Sequence, residues 1–324
     1  MPSIYTHDYF SKITYKDLEN EDIYKLKNKI FYYIFSQSFD TLYYYNFLSL
    51  KPGKKYRNIG YYAHTHKTWT YFKNMIEYIK QNELYDDENL GYLYGSLSHY
   101  VLDSTCHPYI HYISGRFDKK NVKETKKYMG NHAITEISLD SIFYYKNHDN
   151  KYSKYKLYND LIPKLNFSDK LKQTIDYTFK KTFNIDNVGS VYNKSYNQSH
   201  YIYKYLMYDK YGLKKLIYRI VDFITPYKKF KANAYSHHIN KPDINLLNLK
   251  KETWFHPVTG KKHNDSFEEL FNKAQKKLIK CIKKCNDYFK NKCSIKDVEK
   301  VVKNLSYSSG LEIKTRSIFK YFKI

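Results

Sequence analysis

The segment GSLSHYVLDSTCHPYIH, residues 95–111, places His99, Asp103, His107 and His111 at successive steps of four. Imidazoles and carboxylates are the side chains that ligate divalent cations. A helix turns about 100° per residue, so a step of four drifts only about 40°. His99, Asp103 and His107 therefore share one helix face and can converge on a metal. His111 drifts further, and Pro108 is expected to kink or end the helix beside it. The segment NHAITEISLD repeats the device, with His132 and Glu136 at i, i+4. Two helices that each offer a His and a carboxylate are how helical bundles build buried metal sites. Nitrogen and oxygen donors without thiolate suit zinc in an open, catalytic site.

A single His-x3-Asp or His-x3-Glu is common by chance, and a lone His is more often a hydrogen-bonded surface side chain than a ligand. The weight comes from clustering: seven of the thirteen histidines precede residue 133. His7, His64 and His66 belong to that set and need partners. The spacing points to a multi-metal hydrolase. The competing reading is structural zinc that only holds helices together.

The elements that must position these residues read as helices, which makes the fold class all-α. In residues 266–289, Phe267, Leu270, Phe271, Ala274, Leu278, Ile282, Cys285 and Phe289 recur at three and four, with lysines on the other face. Ser266 and Glu269 form a capping box at its start. Residues 21–35, 72–80, 88–106 and 131–145 also carry the helical period. Residues 201–224 read as one long helix with a weak point at Gly212. Loops are signalled at 51–55, 114–121, 225–229 and 256–265. No alternation is sustained enough to build a sheet, and no internal repeat stands out.

The four cysteines, Cys106, Cys281, Cys285 and Cys293, form no Cys-x-x-Cys pair. They fit a reduced chain, with Cys281 and Cys285 as core thiols. Hydrophobic content of 42% and charged content of 27% exclude a disordered chain. No 20-residue uncharged apolar run is present, so no spanning helix is expected, and the first residues lack a signal-peptide pattern. The expectation is a cytoplasmic protein with peripheral membrane contact. The formal net charge is +24. Residues 1–150 carry 19 Lys and Arg against 17 Asp and Glu, and residues 151–324 carry 37 against 15. The charge divides the chain into a metal-binding helical core, 1–160, and a basic helical part, 161–324, expected to pack on the same body. The basic part would attract an anionic membrane, nucleic acid or an acidic substrate. Inflated Lys, Asn and Tyr, as in proteins from AT-rich genomes, are the competing cause of that charge.

GSLSHYVLDSTCHP followed by NHAITEI resembles the bacterial zinc-dependent phospholipase C family. The likeness is greatest to its intracellular-looking members, which begin Met-Pro-x-x-x-Thr-His as MPSIYTH does here. SFDTLYYY (38–45) stands where the family has Gly-Pro-Asp and aromatics, and NIGYYAH (58–64) matches its Ile-Gly-x-x-x-His segment. ETWFHPVTG and DSFEELFNKA resemble its later landmarks. The resemblance implies an all-helical domain that holds two or three zinc ions. His7 would bind one ion. Asp40 would be a ligand and general base. His64 and His99 would be ligands, Asp103 would bridge two ions, and His107, His132 and Glu136 would hold another. His66 is a candidate for packing behind the ligands. Two departures stand out: Ser38-Phe39 replaces Gly-Pro, and the third His follows the bridging Asp by four, at His107, with His111 in reserve. In secreted members a processed N-terminal amine also ligates metal.

Closely spaced zinc ions lower a water's pKa towards about 7, neutralise phosphate oxygens and stabilise the leaving oxygen. The implied activity is a phosphodiesterase that hydrolyses phospholipid at the glycerol–phosphate bond. The alternatives are a zinc-dependent single-strand nuclease or nucleotidase, whose fungal members share the helical metal architecture, and a non-catalytic zinc-stabilised helical protein.

Overall fold

The centre of the molecule is the segment that carries three of the expected ligands. The computed structural model describes residues 4–20, 26–47, 53–116, 118, 121–148, 157–225, 231–238, 243–314 and 317–323. Its helices are α1 (Ile4–Asn20), α2 (Ile30–Ile34), α3 (Lys54–Ala63), α4 (Thr68–Gln81), α5 (Asp87–Ser114), α6 (Val122–Thr125), α7 (Asn131–Asn147), α8 (Leu157–Asp160), α9 (Asp169–Phe183), α10 (Val188–Ile202), α11 (Leu213–Ile224), α12 (Phe267–Phe289) and α13 (Ile295–Val302). Among the described residues the only sheet is a hairpin of β1 (Trp254–Phe255) and β2 (Lys262–His263). The fold is all-α. None of its described helices is long and apolar enough to cross a membrane.

Every residue of α5 from Asn89 to Ile110 is buried. A helix that is apolar around most of its circumference can only sit inside other helices. The Asp86 carboxylate caps it, accepting from the backbone N–H groups of Glu88 and Asn89, and Asp87 and Glu88 complement the dipole of its first turn. The helix does not end at Pro108. It runs on to Ser114 and stops before Gly115, whose φ is 69°. The turns around Pro108 are buried up to Ile110, and the last turn, at His111–Ile113, is half-buried.

Around α5 lie α12, α2, α1, α7 and a 3-10 segment, Phe35–Tyr44. Gly91 and Gly95 make the closest of these contacts possible. A Cβ on Gly91 would meet the Phe31 Cβ at 2.7 Å, and one on Gly95 would meet the Tyr32 carbonyl oxygen at 2.6 Å. The α2 backbone thus lies directly on α5, which brings the following 3-10 segment alongside His99. α12 has the expected capping box at Ser266 and Glu269, and it buries Leu270, Leu278, Cys281, Ile282 and Cys285 towards the core. The four cysteines are free.

Three further sequence expectations change in the structure. Of residues 21–35, 21–25 lie outside the described residues, and helix begins only at Ile30 before tightening to 3-10 at Phe35. Residues 201–224 are not one helix: α10 ends at Ile202, a π turn covers Tyr203–Met207, and α11 starts after Gly212 at φ 77°. The left-handed glycine breaks the helical path, and α11 is held in place by hydrogen bonds of Lys214 to the Tyr208 carbonyl, Tyr218 to the Leu206 carbonyl and Asp222 to the N–H groups of Ala232 and Asn233. Part of the expected 256–265 loop pairs as the β1–β2 hairpin.

Gly95→Ala is expected to destabilise the chain by about 2 kcal/mol or more, because the new methyl must displace backbone rather than a flexible side chain. A melting temperature equal to that of the wild type would contradict the close approach.

Candidate metal centre

Donors from five segments meet at the middle of α5. His7 on α1 puts Nε2 3.1 Å from Asp103 Oδ1. His99 Nε2 lies 3.2 Å from Asp103 Oδ2 and 3.6 Å from Asp40 Oδ2. His64, at the end of α3, puts Nε2 3.1 Å from Asp40 Oδ1. One turn further along α5, His107 Nε2 lies 3.1 Å from Glu136 Oε1, and His132 Nε2 lies 3.2 Å from the same oxygen. Three compact groups result: His7 with His99 and Asp103, Asp40 with His64 and His99, and His107 with His132 and Glu136. Asp103 joins them, since its Oδ2 is also 3.6 Å from His107 Nδ1. All eight residues expected from the sequence fall in this constellation.

Backbone carbonyls orient three of the imidazoles. His99 Nδ1 donates to the Ser36 carbonyl at 2.9 Å, His64 Nδ1 to the Gly60 carbonyl at 2.6 Å, and His107 Nδ1 to the Tyr307 carbonyl at 3.0 Å. Each bond turns Nε2 towards the cluster. His7 is held by stacking on His99, with centroids 4.4 Å apart and planes at 19°. Its helix is anchored by Asp140 of α7, which accepts from Tyr5 N at 3.1 Å and from Thr6 N and Oγ1 at 2.7 Å each. That carboxylate acts as a cap supplied from a distant helix.

The donor set fits a metal better than it fits any arrangement of protein atoms alone. His7 Nδ1, His99 Nε2, Asp103 Oδ2, His132 Nδ1 and Glu136 Oε2 are buried and have no hydrogen-bond partner. His99 Nε2 and Asp103 Oδ2 approach closely without hydrogen-bond geometry, as two ligands of one ion do. Among the described residues, the ion-pair partners of Asp40, Asp103 and Glu136 are all imidazoles. Burial would raise these three carboxyls, but the imidazoles outweigh it and hold all three below their ordinary values. Burial would lower His107, yet Asp103 and Glu136 push it up to about 9. Three carboxylates without a lysine or arginine partner inside a dry core are costly unless cations neutralise them.

His111 lies near this group without belonging to it. Its ring stacks on His132 at 4.6 Å and sits 5.7 Å from His107. Burial, then His132 and His107, keep it well below the ordinary imidazole value and hence neutral. His66 does not pack behind the ligands. It is exposed and stacked on Tyr62 at 3.9 Å. The first three residues, and any amine they offer, lie outside the described residues. A cavity of about 560 Å³ opens beside the third group, lined by His111, His132, Arg116, Tyr128, Phe319 and Phe322 among others. The carbonyl acceptors and the C-terminal loop carrying Tyr307 had no sequence signal. Asp140 had one: it continues the i, i+4 series of His132 and Glu136.

The model of the family described as zinc dependent phospholipase C matches residues 6–185, and this stretch includes every donor named above. The chain belongs to that zinc-dependent family, whose membership implies a hydrolase. No curated protein and no solved structure matches it.

The departure at Ser38 has a structural cost. Ser38 takes φ 36°, ψ −131° inside the 3-10 segment, and its buried hydroxyl has no hydrogen-bond partner. Glycine, which the family resemblance places here, adopts that backbone readily. Ser38→Gly is expected to stabilise the protein by about 1 kcal/mol, read as a higher melting temperature with metal content unchanged. An unchanged or lower melting temperature would show that the strain is absent.

Proposed function

We propose that this chain is a zinc-dependent phosphodiesterase of the phospholipase C type, cleaving phospholipid at the glycerol–phosphate bond. The observation that carries the reading is the set of orphaned donor atoms from chain-distant segments, gathered beside an open cavity. In this reading two or three zinc ions would be held: one by Asp40 and His64, one by His7 and Asp103, with the single Nε2 of His99 serving one of these two, and one by His107, His132 and Glu136. Asp103 would stand between two of the groups, since its Oδ1 lies 3.1 Å from His7 Nε2 and its Oδ2 3.6 Å from the His107 ring. Bound zinc supplies Lewis acidity for the phosphodiester and activates water. Asp40 is kept ionised by His64 and His99, so it is also the group to accept a proton from water. Arg116, in the cavity wall, offers charge to a phosphate, and neutral His111 offers a hydrogen bond beside it. The cavity at His132, which is 32% exposed, supports a catalytic centre over a closed structural one.

The direct test is hydrolysis. Zinc-loaded protein should release diacylglycerol from phospholipid, stop on treatment with a chelator and recover with zinc. His99→Ala should lose both bound zinc and activity. Activity that survives complete zinc removal would reject the mechanism, and faster cleavage of single-stranded DNA than of phospholipid would favour a nuclease.

The pH dependence has a definite sign. His107, held at about 9 in the metal-free chain, must release its proton to donate to zinc. A raised imidazole stabilises the metal-free fold fully below its unfolded value of about 6.5, and this contribution fades as pH rises through 9. Zinc affinity should therefore climb between pH 7 and 9, by up to about tenfold per unit for one proton released. Calorimetry in buffers of different ionisation enthalpy counts that proton. Affinity that stays flat across the window would place His107 outside the ligand set.

A further inference from the structure

α11 is folded inside out. Leu213, Leu216, Ile217, Ile220, Phe223 and Ile224 are between 52% and 86% exposed, while Lys214, Lys215 and Asp222 on the same helix are half-buried. The six exposed residues recur at three and four, so they form one apolar stripe. A helix with no buried residue gains nothing from water on that face, and an exposed patch of this kind marks an interaction surface.

The flanks say what covers it. Lys214 Nζ is tied to the Tyr208 carbonyl at 2.7 Å. Asp222, the helix's single acid, is spent on the N–H groups of Ala232 at 2.6 Å and Asn233 at 3.0 Å. The charge left to a partner is therefore basic. Lys215 and Arg219 line a polar recess of about 350 Å³ together with Lys231, His238, Ser138 and Ser141, and Asp243 is its acidic member. On the opposite side, Tyr218 and Val221 wall an apolar cavity of about 540 Å³ with Phe47, Leu206, Met207 and Tyr61, joined by Arg57 and Asn58. Tyr43 separates that cavity from the metal centre: it lines the cavity, and its hydroxyl lies 3.2 Å from His64 Nδ1.

We infer that α11 docks the protein on an anionic phospholipid surface. Its apolar stripe enters the acyl region, the Lys215–Arg219–Lys231 recess takes a lipid phosphate, and the cavity behind Tyr43 receives an acyl chain of the lipid being cleaved. An apolar stripe with basic flanks is the combination that binds in the plane of an anionic interface. α11 lies outside residues 6–185. The acyl-chain part rests on the phospholipid reading given above, and the docking part does not.

The test uses the zinc-loaded protein and vesicles of phosphatidylcholine with or without phosphatidylserine. Phe223→Trp adds an exposed fluorophore to a chain with two tryptophans. Its emission should shift to the blue on anionic vesicles and be quenched by brominated acyl chains. Leu216→Ser/Ile220→Ser/Phe223→Ser should lower vesicle binding by about tenfold or more and leave hydrolysis of a monomeric short-chain substrate unchanged. Arg219→Ser with Lys231→Ser should weaken binding to anionic vesicles only. An unshifted, unquenched Trp, or a triple variant that binds vesicles like the wild type, overturns the inference. Equal wild-type binding to neutral and anionic vesicles overturns the role of the recess. A wild-type dimer that the triple variant dissolves assigns the stripe to a second copy instead. If docking holds while no phospholipid is cleaved, the proposed function fails and the docking surface stands.

Discussion

Three carboxylates buried against five imidazoles are the constraint around which the rest of this chain is arranged. Without compensation, ionised Asp40, Asp103 and Glu136 could not remain in a helical core. In the metal-free chain the compensation is protons, above all on His107. In a loaded site it would be divalent cations, and protons and metal compete for the same nitrogens. This competition is why the centre has so many orphaned atoms and so few conventional hydrogen bonds. The helix that carries His99, Asp103 and His107 has to be buried all round, and so α5 is the axis on which the other helices pack.

The lone pairs must also point inward, and this task falls to main chain rather than to side chains. The carbonyls of Ser36, Gly60 and Tyr307 each take one Nδ1 proton. The first belongs to the 3-10 segment pressed onto α5 through Gly91 and Gly95. The second belongs to α3. The third comes from a loop near the C-terminus, beyond the stretch matched by the family, so the basic part of the chain contributes to the orientation of His107. Asp140 performs the equivalent task for His7 by fixing the first turn of α1.

The arrangement separates chemistry from contact. Donors lie deep, on helices locked into one core, where their geometry is held by packing. The apolar stripe of α11 lies outside, with Lys214 and Asp222 turned towards the protein. Between them run two recesses of opposite character, one apolar and adjoining Tyr43, the other basic. In the proposed function, a substrate that is both anionic and greasy would meet complementary surface on either side of the same helix.

Five of the eight candidate donors were legible because helical periodicity is local: steps of four at 99, 103 and 107 and at 132 and 136 declare a shared face before any fold is known, and the capping box of α12 declares its start. His7, Asp40 and His64 carried no such spacing and rested on family resemblance. The break at 203–212 showed in the sequence only as a weak point at Gly212, because the apolar positions on its two sides keep a helical count across the π turn and the left-handed glycine. By itself the sequence determined an all-helical chain, its principal donors and its uneven charge, since composition and i, i+4 geometry depend on neighbours along the chain. Only the tertiary structure decided that His107 rather than His111 faces Glu136, which carbonyls orient the imidazoles, and that α11 turns its apolar side outward. Those outcomes depend on contacts between residues up to 200 positions apart, and no local pattern encodes them.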